Sequence, residues 1–537
     1  MNNLIKVFSS FKKTNNFSNN LIKNSTLFNN NNNNNINKLI LKQNNFLINN
    51  KRNFSTSNEK DLTSPFTSLS EIHPKLVGEK LYDTTNYDDK NNEKSKNFKA
   101  QITTLPNGIR VVSKQTHEGV CAIGLYVNAG TKYESPQDRG VFNLLEKMTF
   151  KKTKNHTTSD IIRELEEISL NAMASSSKEM INVSIEVLRK DLEFVLSIFS
   201  DQIKCPEFEE EEIKEQIEVC IRNWEMMTQS ASDQLLSEIL TNVAYGDGGL
   251  GNLVLANPEE YMRINKEKLK ETLKKYYVGK NIVISVTGAE HSDVTQLVDK
   301  YFGDIPYTQP NTPSSDAIDN QTFYRGENEE SSWLIAFPYS GLSTVADSKE
   351  IITGLVLQSL LGGGSSYSTG GPGKGMQSRL NLNVVYKSHA VKNCHGFFFI
   401  FNKFSLFGIS LTTNAGYLSN GISLVLNEFL MLNKTITQTD LDRAKRTQKS
   451  QILQNLELRS IQCDDMARHV LALNTYKSPE EICALIDSVT INDVKELTSK
   501  LIQSNPSVVS LVANENEEIL TAEQFSIIVK NNLNLFQ

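Results

Sequence analysis

From about Gln101 onward the apolar positions of the chain recur with two periods, and the switches between them mark out elements. "ITTLPNGIRVVSK" sets Asn107-Gly108 between two apolar runs, which predicts a hairpin. "CAIGLYVNAG" reads as a strand ending in glycine. "INVSIEVL" alternates Ile181, Val183, Ile185 and Val187, the pattern of a half-buried strand. Helical spacing then takes over. A helix is predicted over Phe142–Phe150, and Ile161, Leu165 and Ile168 share one helical face. Leu188, Leu192, Val195 and Phe199 define the next face, and Ile213, Ile217, Ile221 and Trp224 a longer one. "NIVISVTGA" is a buried strand ahead of a helix and "KYFGDIP". Strands and helices mix without strict β-α-β alternation, which favours α+β with antiparallel pairing.

"YTQPNTPSSDAIDNQT", residues 307–322, is rich in Pro, Ser, Thr and Asn and reads as a linker. A second run of similar length and order follows over 323–537. It contains an extended "SSWLIAFPY", a helix from Lys349, a strand region with "GFFFIF" as a buried strand, more helices, and a late strand "SVVSLVANE". Residue identity between the runs is weak, so length and order alone predict two similar domains, 99–306 and 323–537.

Composition changes this picture at one place. The 537 residues exceed what one core holds, and 39% apolar with 22% charged residues is a globular balance. No apolar stretch of about 18 residues occurs that would span a bilayer. Six scattered cysteines without a C-x-x-C read as reduced thiols. Residues 1–58, however, carry eight basic side chains and no acidic one, whereas the whole chain is at −6, so residues 59–537 stand at −14. The bases alternate with apolar residues in "LIKVFSSF" and "INKLILKQ", around the unbroken run Asn29–Asn35. That is the pattern of a mitochondrial presequence, assigned to 1–54 with a cut after Phe54, and it predicts the mitochondrial matrix. Residues 55–98 form a polar extension. A body this acidic is not expected to bind nucleic acid.

Two stretches carry candidate chemistry. In an H-x-x-E-H helix, histidines at i and i+4 share a face and hold one zinc, while the glutamate polarises its water. "GVFNLLEKMTF" places Asn143 and Lys147 at those ligand positions and keeps Glu146 in the base position. An ammonium has no lone pair for a metal. By itself the stretch reads as an ordinary amphipathic helix, and only the rest of the chain makes it informative. "LGGGSSYSTGGPGKGMQSRL" holds seven glycines in the fourteen residues 362–375. At that density no helix or strand is expected, only a mobile loop. It fails as a phosphate loop, because Ser368 stands where the first glycine belongs and Gly375 where Ser or Thr belongs. A passive linker and a lid that contacts peptide both fit the composition.

The glycine-rich stretch, together with "LDRAKRTQKSQILQNLELRSIQCDDMARHVLALNTYKSPEEICALIDSV" and "GVFNLLEKMTFKKTKNHT", resembles the alpha-subunit branch of the mitochondrial processing peptidases, non-catalytic members of the pitrilysin-like M16 metallopeptidase family. The likeness runs from about Gln101 to near the C-terminus. It implies an α+β fold of two pitrilysin-type domains, each a mostly antiparallel sheet packed with helices. It also implies a heterodimer whose beta subunit carries zinc and hydrolysis, with no cofactor and no catalytic residue in this chain. The third zinc-ligand position of the family falls by spacing on Asn223, with Glu225 two residues on.

The implied role is to bind or guide basic presequence peptides. The implied contacts are Gly362, Gly363, Gly364, Ser365, Ser366, Tyr367, Gly370, Gly371, Pro372, Gly373, Lys374 and Gly375. Acidic candidates on the inner wall are Glu457, Asp464 and Asp465, an Asp pair where Glu-Asp would be usual. The second reading is a core structural subunit of the respiratory cytochrome bc1 complex (complex III), alone or combined with the first. The third is an independently active metallopeptidase.

Overall fold

The computed structural model describes residues 99–116, 119–229, 233–308, 321–325, 330–344, 349–365 and 375–513. The expected presequence and extension, residues 309–320 of the linker, and 366–374 of the glycine-rich stretch lie outside them.

The first half supplies β1 (Gln101–Thr104), β2 (Arg110–Lys114), β3 (Val120–Val127), α1 (Val141–Lys147), α2 (Thr158–Ile168), β4 (Ser169–Ser176) and β5 (Ile181–Leu188). It continues with α3 (Leu192–Lys204), α4 (Glu210–Gln229), α5 (Asp233–Tyr245), α6 (Pro258–Tyr261), α7 (Lys266–Tyr276), β6 (Ile282–Thr287) and α8 (His291–Phe302). The second half supplies β7 (Gln321–Arg325), β8 (Glu330–Ser340), α9 (Lys349–Leu361), β9 (Gly363–Ser365), β10 (Val391–Ile400) and β11 (Phe404–Asn414). Then come α10 (Leu418–Thr435), α11 (Gln438–Leu456), α12 (Arg459–Leu473), α13 (Pro479–Ser488), α14 (Ile491–Gln503) and β12 (Ser507–Val512).

Each half builds one six-stranded sheet, in the orders β1-β2-β6-β3-β5-β4 and β7-β12-β8-β11-β10-β9. The series β2-β6-β3-β5-β4 and β7-β12-β8-β11-β10 match pair for pair. β2–β6 and β7–β12 are parallel. Every later pair is antiparallel. The duplication that residue identity barely shows is therefore plain in the topology. By this correspondence α9 is the counterpart of α1, since each follows the equivalent strand.

Alternation along the strands decides which side chains meet. Ile123, Leu125, Ile284 and Val286 point into the main core of the first half, and Val112, Ala122, Tyr126 and Val283 point to the other face. That second face is covered by Cys463, Met466, Ala467 and Val470 of α12, a helix from the second half. The bond Ser285 Oγ to the Cys463 carbonyl, 2.8 Å, fixes its register. Reciprocally, α5 of the first half packs on β8 and β12 of the second sheet. Tyr245 at its end meets Phe401 and Phe404 at centroid distances of 6.2 and 6.5 Å.

Four local expectations shift. The helix expected over Phe142–Phe150 ends at Lys147, and Phe150 takes φ 63° in the turn that follows. Leu188 closes β5 and is 46% exposed, so the helical face of α3 begins at Leu192. "GFFFIF" is a strand but only half-buried at Phe398 and Phe399, because it runs out to the hairpin tip. Gly363–Ser365 is a strand despite its glycine content. Bare backbone is what lets it lie against β10, with Gly363 opposite His395.

Candidate functional site

The stretch read as an emptied metal helix is α1, packed between β4 and α4. Gly140 enters it at φ 87°, and a Cβ there would meet the Ala256 Cβ at 2.7 Å and the Tyr261 ring at 2.8 Å. Glycine is thus required both by conformation and by space. A capping box between Asn257 and Glu260 starts α6 and sets Tyr261, which is fully buried.

The would-be ligand positions are closed by bonds among themselves. The Tyr261 hydroxyl donates to Asn143 Oδ1 at 2.8 Å. Asn143 Nδ2 reaches Glu146 Oε2 and Ser176 Oγ, each at 3.3 Å. Glu146 Oε2 also accepts from the Ser176 backbone N–H at 2.9 Å and from its hydroxyl. Glu146 Oε1 pairs with Lys147 Nζ at 2.7 Å. Asn223 is half-buried on α4, one turn past the buried Cys220, whose thiol is pushed up to about 11 chiefly by burial.

These residues do not suit zinc. The amide oxygen is occupied by a hydroxyl, both carboxylate oxygens are engaged, and the ammonium of Lys147 supplies the positive charge a metal would bring. Among the described residues no cluster of three His, Cys, Asp or Glu is placed to hold a metal.

Glu134, buried ahead of α1, accepts the backbone N–H groups of Gly140 and Phe142 at 3.0 Å each and so holds the start of the helix. Burial pushes its carboxyl up to about 8, with the two amides pulling the other way and Glu260 adding to the rise. The native state therefore holds this proton more tightly than the unfolded chain. That contribution to stability is complete below the ordinary value of 4.5 and is lost as pH rises to about 8. Glu134→Gln should flatten the fall in stability across that window and be relatively more stable above it, as read by urea unfolding at a series of pH values.

The glycine-rich stretch leaves the C-terminal end of α9. Gly362 and Gly363 take φ 50° and 105°, and a Cβ on Gly363 would fall 1.9 Å from the Cys394 carbonyl oxygen. Both ends of the stretch close on Ser378. Gly363 N–H donates to Ser378 Oγ at 2.9 Å, and Ser378 N–H donates to the Gly375 carbonyl at 2.9 Å. The next residue, Arg379, is 8% exposed and is tied to Glu428 and Thr435 of α10. Of the candidate contacts, Gly362, Gly363, Gly364, Ser365 and Gly375 are thus brought together at the edge of the second sheet. Ser366, Tyr367, Gly370, Gly371, Pro372, Gly373 and Lys374 lie outside the described residues.

Asp464 and Asp465 sit apart from that edge, on α12 over the first sheet. Asp464 pairs with Arg468 at 2.5 Å, and Glu457 is exposed at the end of α11. Asp465 lines a cavity of about 600 Å³ between the halves, walled by Ile352, Leu355, Ile452 and Leu485 among others. There His469 lies 3.4 Å from its carboxylate. Burial lowers the imidazole, but Asp465 outweighs it and holds the pKa above the ordinary value. The sequence reading missed Tyr261, Ser176, Glu134 and Arg379. Only the Asn257–Glu260 capping pair gave a local signal for one of them.

The family model "Insulinase (Peptidase family M16)" matches residues 110–258, and "Peptidase M16 inactive domain" matches 263–448. The mitochondrial-processing peptidase subunit alpha-1 of Dictyostelium discoideum is 64% identical, over 87% of this chain and 82% of that protein. The mitochondrial-processing peptidase subunit alpha of Homo sapiens is 28% identical, over 77% of this chain and 82% of that one. Among solved structures, a protease from Helicobacter pylori superposes with a TM-score of 0.69 at 18% identity, over 77% of this chain and 99% of that one. A chain of Complex III2 from Candida albicans superposes with 0.68 at 17%, over 81% and 99%. The chain belongs to peptidase family M16, among the alpha subunits of the mitochondrial processing peptidases.

Proposed function

We propose that this chain is the non-catalytic, substrate-recognising subunit of a heterodimeric processing peptidase in the mitochondrial matrix. The carrying observation is the closed network of Asn143, Glu146, Lys147, Ser176 and Tyr261, which leaves at the ligand positions of α1 an ammonium without a lone pair and an amide whose oxygen already accepts a hydrogen bond. Zinc and its activated water then belong to a beta subunit. The chain's part is to hold the presequence, through the glycine-rich stretch between Gly362 and Gly375, with Asp465 as a further acidic contact.

Opposite charge supports this part. The body at −14 attracts basic leaders, steering encounter and orienting the bound peptide. In this reading the leader 1–54 delivers the chain to the matrix, and 99–306 and 323–537 are its two domains, joined by 307–322. The fold shared with a chain of Complex III2 favours one second reading, a core subunit of that complex. Copurification with cytochrome subunits would identify it.

The test is cleavage of a fluorogenic presequence peptide by the chain, by a candidate beta subunit, and by both. Hydrolysis is expected only from the pair, and deletion of Gly362–Gly375 should abolish it while the pair still forms. Chelator-sensitive cleavage by the purified chain alone would refute the proposal.

A further inference from the structure

A second cavity, about 300 Å³, opens between the β1–β2 hairpin, the residues before β6, and the C-terminal end of α12. Its lining includes Thr104, Arg110, Lys280, Tyr307 and Asn474 and, among the described residues, no carboxylate. The Arg110 guanidinium donates to the Val470 carbonyl at 3.0 Å, to Asn474 Oδ1 at 2.8 Å and to the Lys280 carbonyl at 3.0 Å. These acceptors fix the plane of the fork, and a cation at the end of α12 suits the helix dipole. They are nonetheless neutral groups and leave the charge unmatched.

Arg110 is half-buried, and the buried cations of this protein are built differently. Lys178 is paired with Glu238 at 2.9 Å, and Arg379 with Glu428. Arg110 has no such partner among the described residues, and its Nε is buried without a hydrogen bond. Burial lowers its pKa, and no carboxylate acts to restore it. A partly desolvated cation without a counter-charge favours an anion beside it. Lys280 adds a second cation to the same wall, its ammonium 6.0 Å from the Tyr307 ring centroid.

We propose that this cavity binds a phosphate-class oxyanion, with the Arg110 fork and the Lys280 ammonium supplying charge and Thr104 and Asn474 able to add neutral hydrogen bonds. The volume leaves room for an ester beyond the phosphate. The cavity also shares Asn128 and Leu471 with the larger apolar one, so the phosphate has two sources to distinguish, a free anion and a lipid headgroup.

The experiment uses the full chain in complex with its beta subunit. Thermal unfolding is followed against inorganic phosphate at ionic strength matched with chloride. Binding to phosphatidylglycerol vesicles is compared with binding to phosphatidylcholine vesicles. A saturable, phosphate-specific rise in Tm identifies the free anion, and retention on phosphatidylglycerol without that rise identifies the headgroup. Either response should weaken about tenfold or more in Lys280→Gln, the loss expected for one charge-assisted hydrogen bond. Arg110→Met should abolish the response. Because Arg110 also joins β2 to α12 and its removal risks the fold, Lys280→Gln is the deciding variant. No response to phosphate or to phosphatidylglycerol, or an equal response in Lys280→Gln, overturns the proposal.

Discussion

Arg379→Ala should cost the fold about 3–5 kcal/mol, the range for removing one partner of a buried ion pair. The guanidinium is 8% exposed and Glu428, facing it, is 7% exposed. Nε donates to Glu428, one terminal nitrogen donates to the Thr435 hydroxyl, and the other lies 3.8 Å from Asp440. Alanine would leave the Glu428 carboxylate desolvated with nothing to oppose it, and would open a void beside α10. Arg379→Lys keeps the charge but not the fork, so a smaller loss is expected. Replacing Arg379 by Met and Glu428 by Leu together should recover much of the stability. Urea unfolding of the four proteins measures this. A single-alanine loss below about 1 kcal/mol would show the pair to be screened like a surface bridge.

Gly363→Ala should act where Arg379→Ala does not. Its φ of 105° is strained for any L side chain, and the added carbon would overlap the Cys394 carbonyl. Strain of this kind is relieved by releasing β9, which holds only three residues at a sheet edge. Global stability should therefore barely move, with Tm falling by roughly a few degrees. Under the proposed function, presequence cleavage by the heterodimer should fall roughly tenfold or more, because the near end of the glycine-rich stretch is no longer fixed. Ser378→Ala, which removes the Oγ acceptor of Gly363 N–H, should give a weaker effect in the same direction. Unchanged cleavage in Gly363→Ala would detach the role of the stretch from its anchoring.

The parts of this molecule that were legible in the sequence are those that one segment specifies. "NIVISVTGA" reads as a buried strand because β6 is covered on both faces. The lack of histidine at positions 143 and 147, with glutamate kept at 146, is visible in the sequence because the ligand spacing of a helix is local. What was hidden depends on pairs. Tyr261 and Asn143 lie 118 residues apart, and Arg379 and Glu428 lie 49 apart. Cys463, Met466, Ala467 and Val470 do follow helical spacing, but a period says only that a face is buried, not that the opposite half's sheet buries it. Asp464 and Asp465 are neighbours whose side chains diverge by about 100° around α12, and only the packing of the helix decides which one meets the cavity.

The crossing of α5 and α12 between the two sheets makes the two halves fold as one unit. The first sheet is complete in sequence by Thr287, yet the face carrying Tyr126 and Val283 waits for a helix that begins at Arg459. A first half that folds before that helix docks leaves the greasy surface bare. Severing the polypeptide at its midpoint should therefore yield two fragments that rescue one another only when mixed.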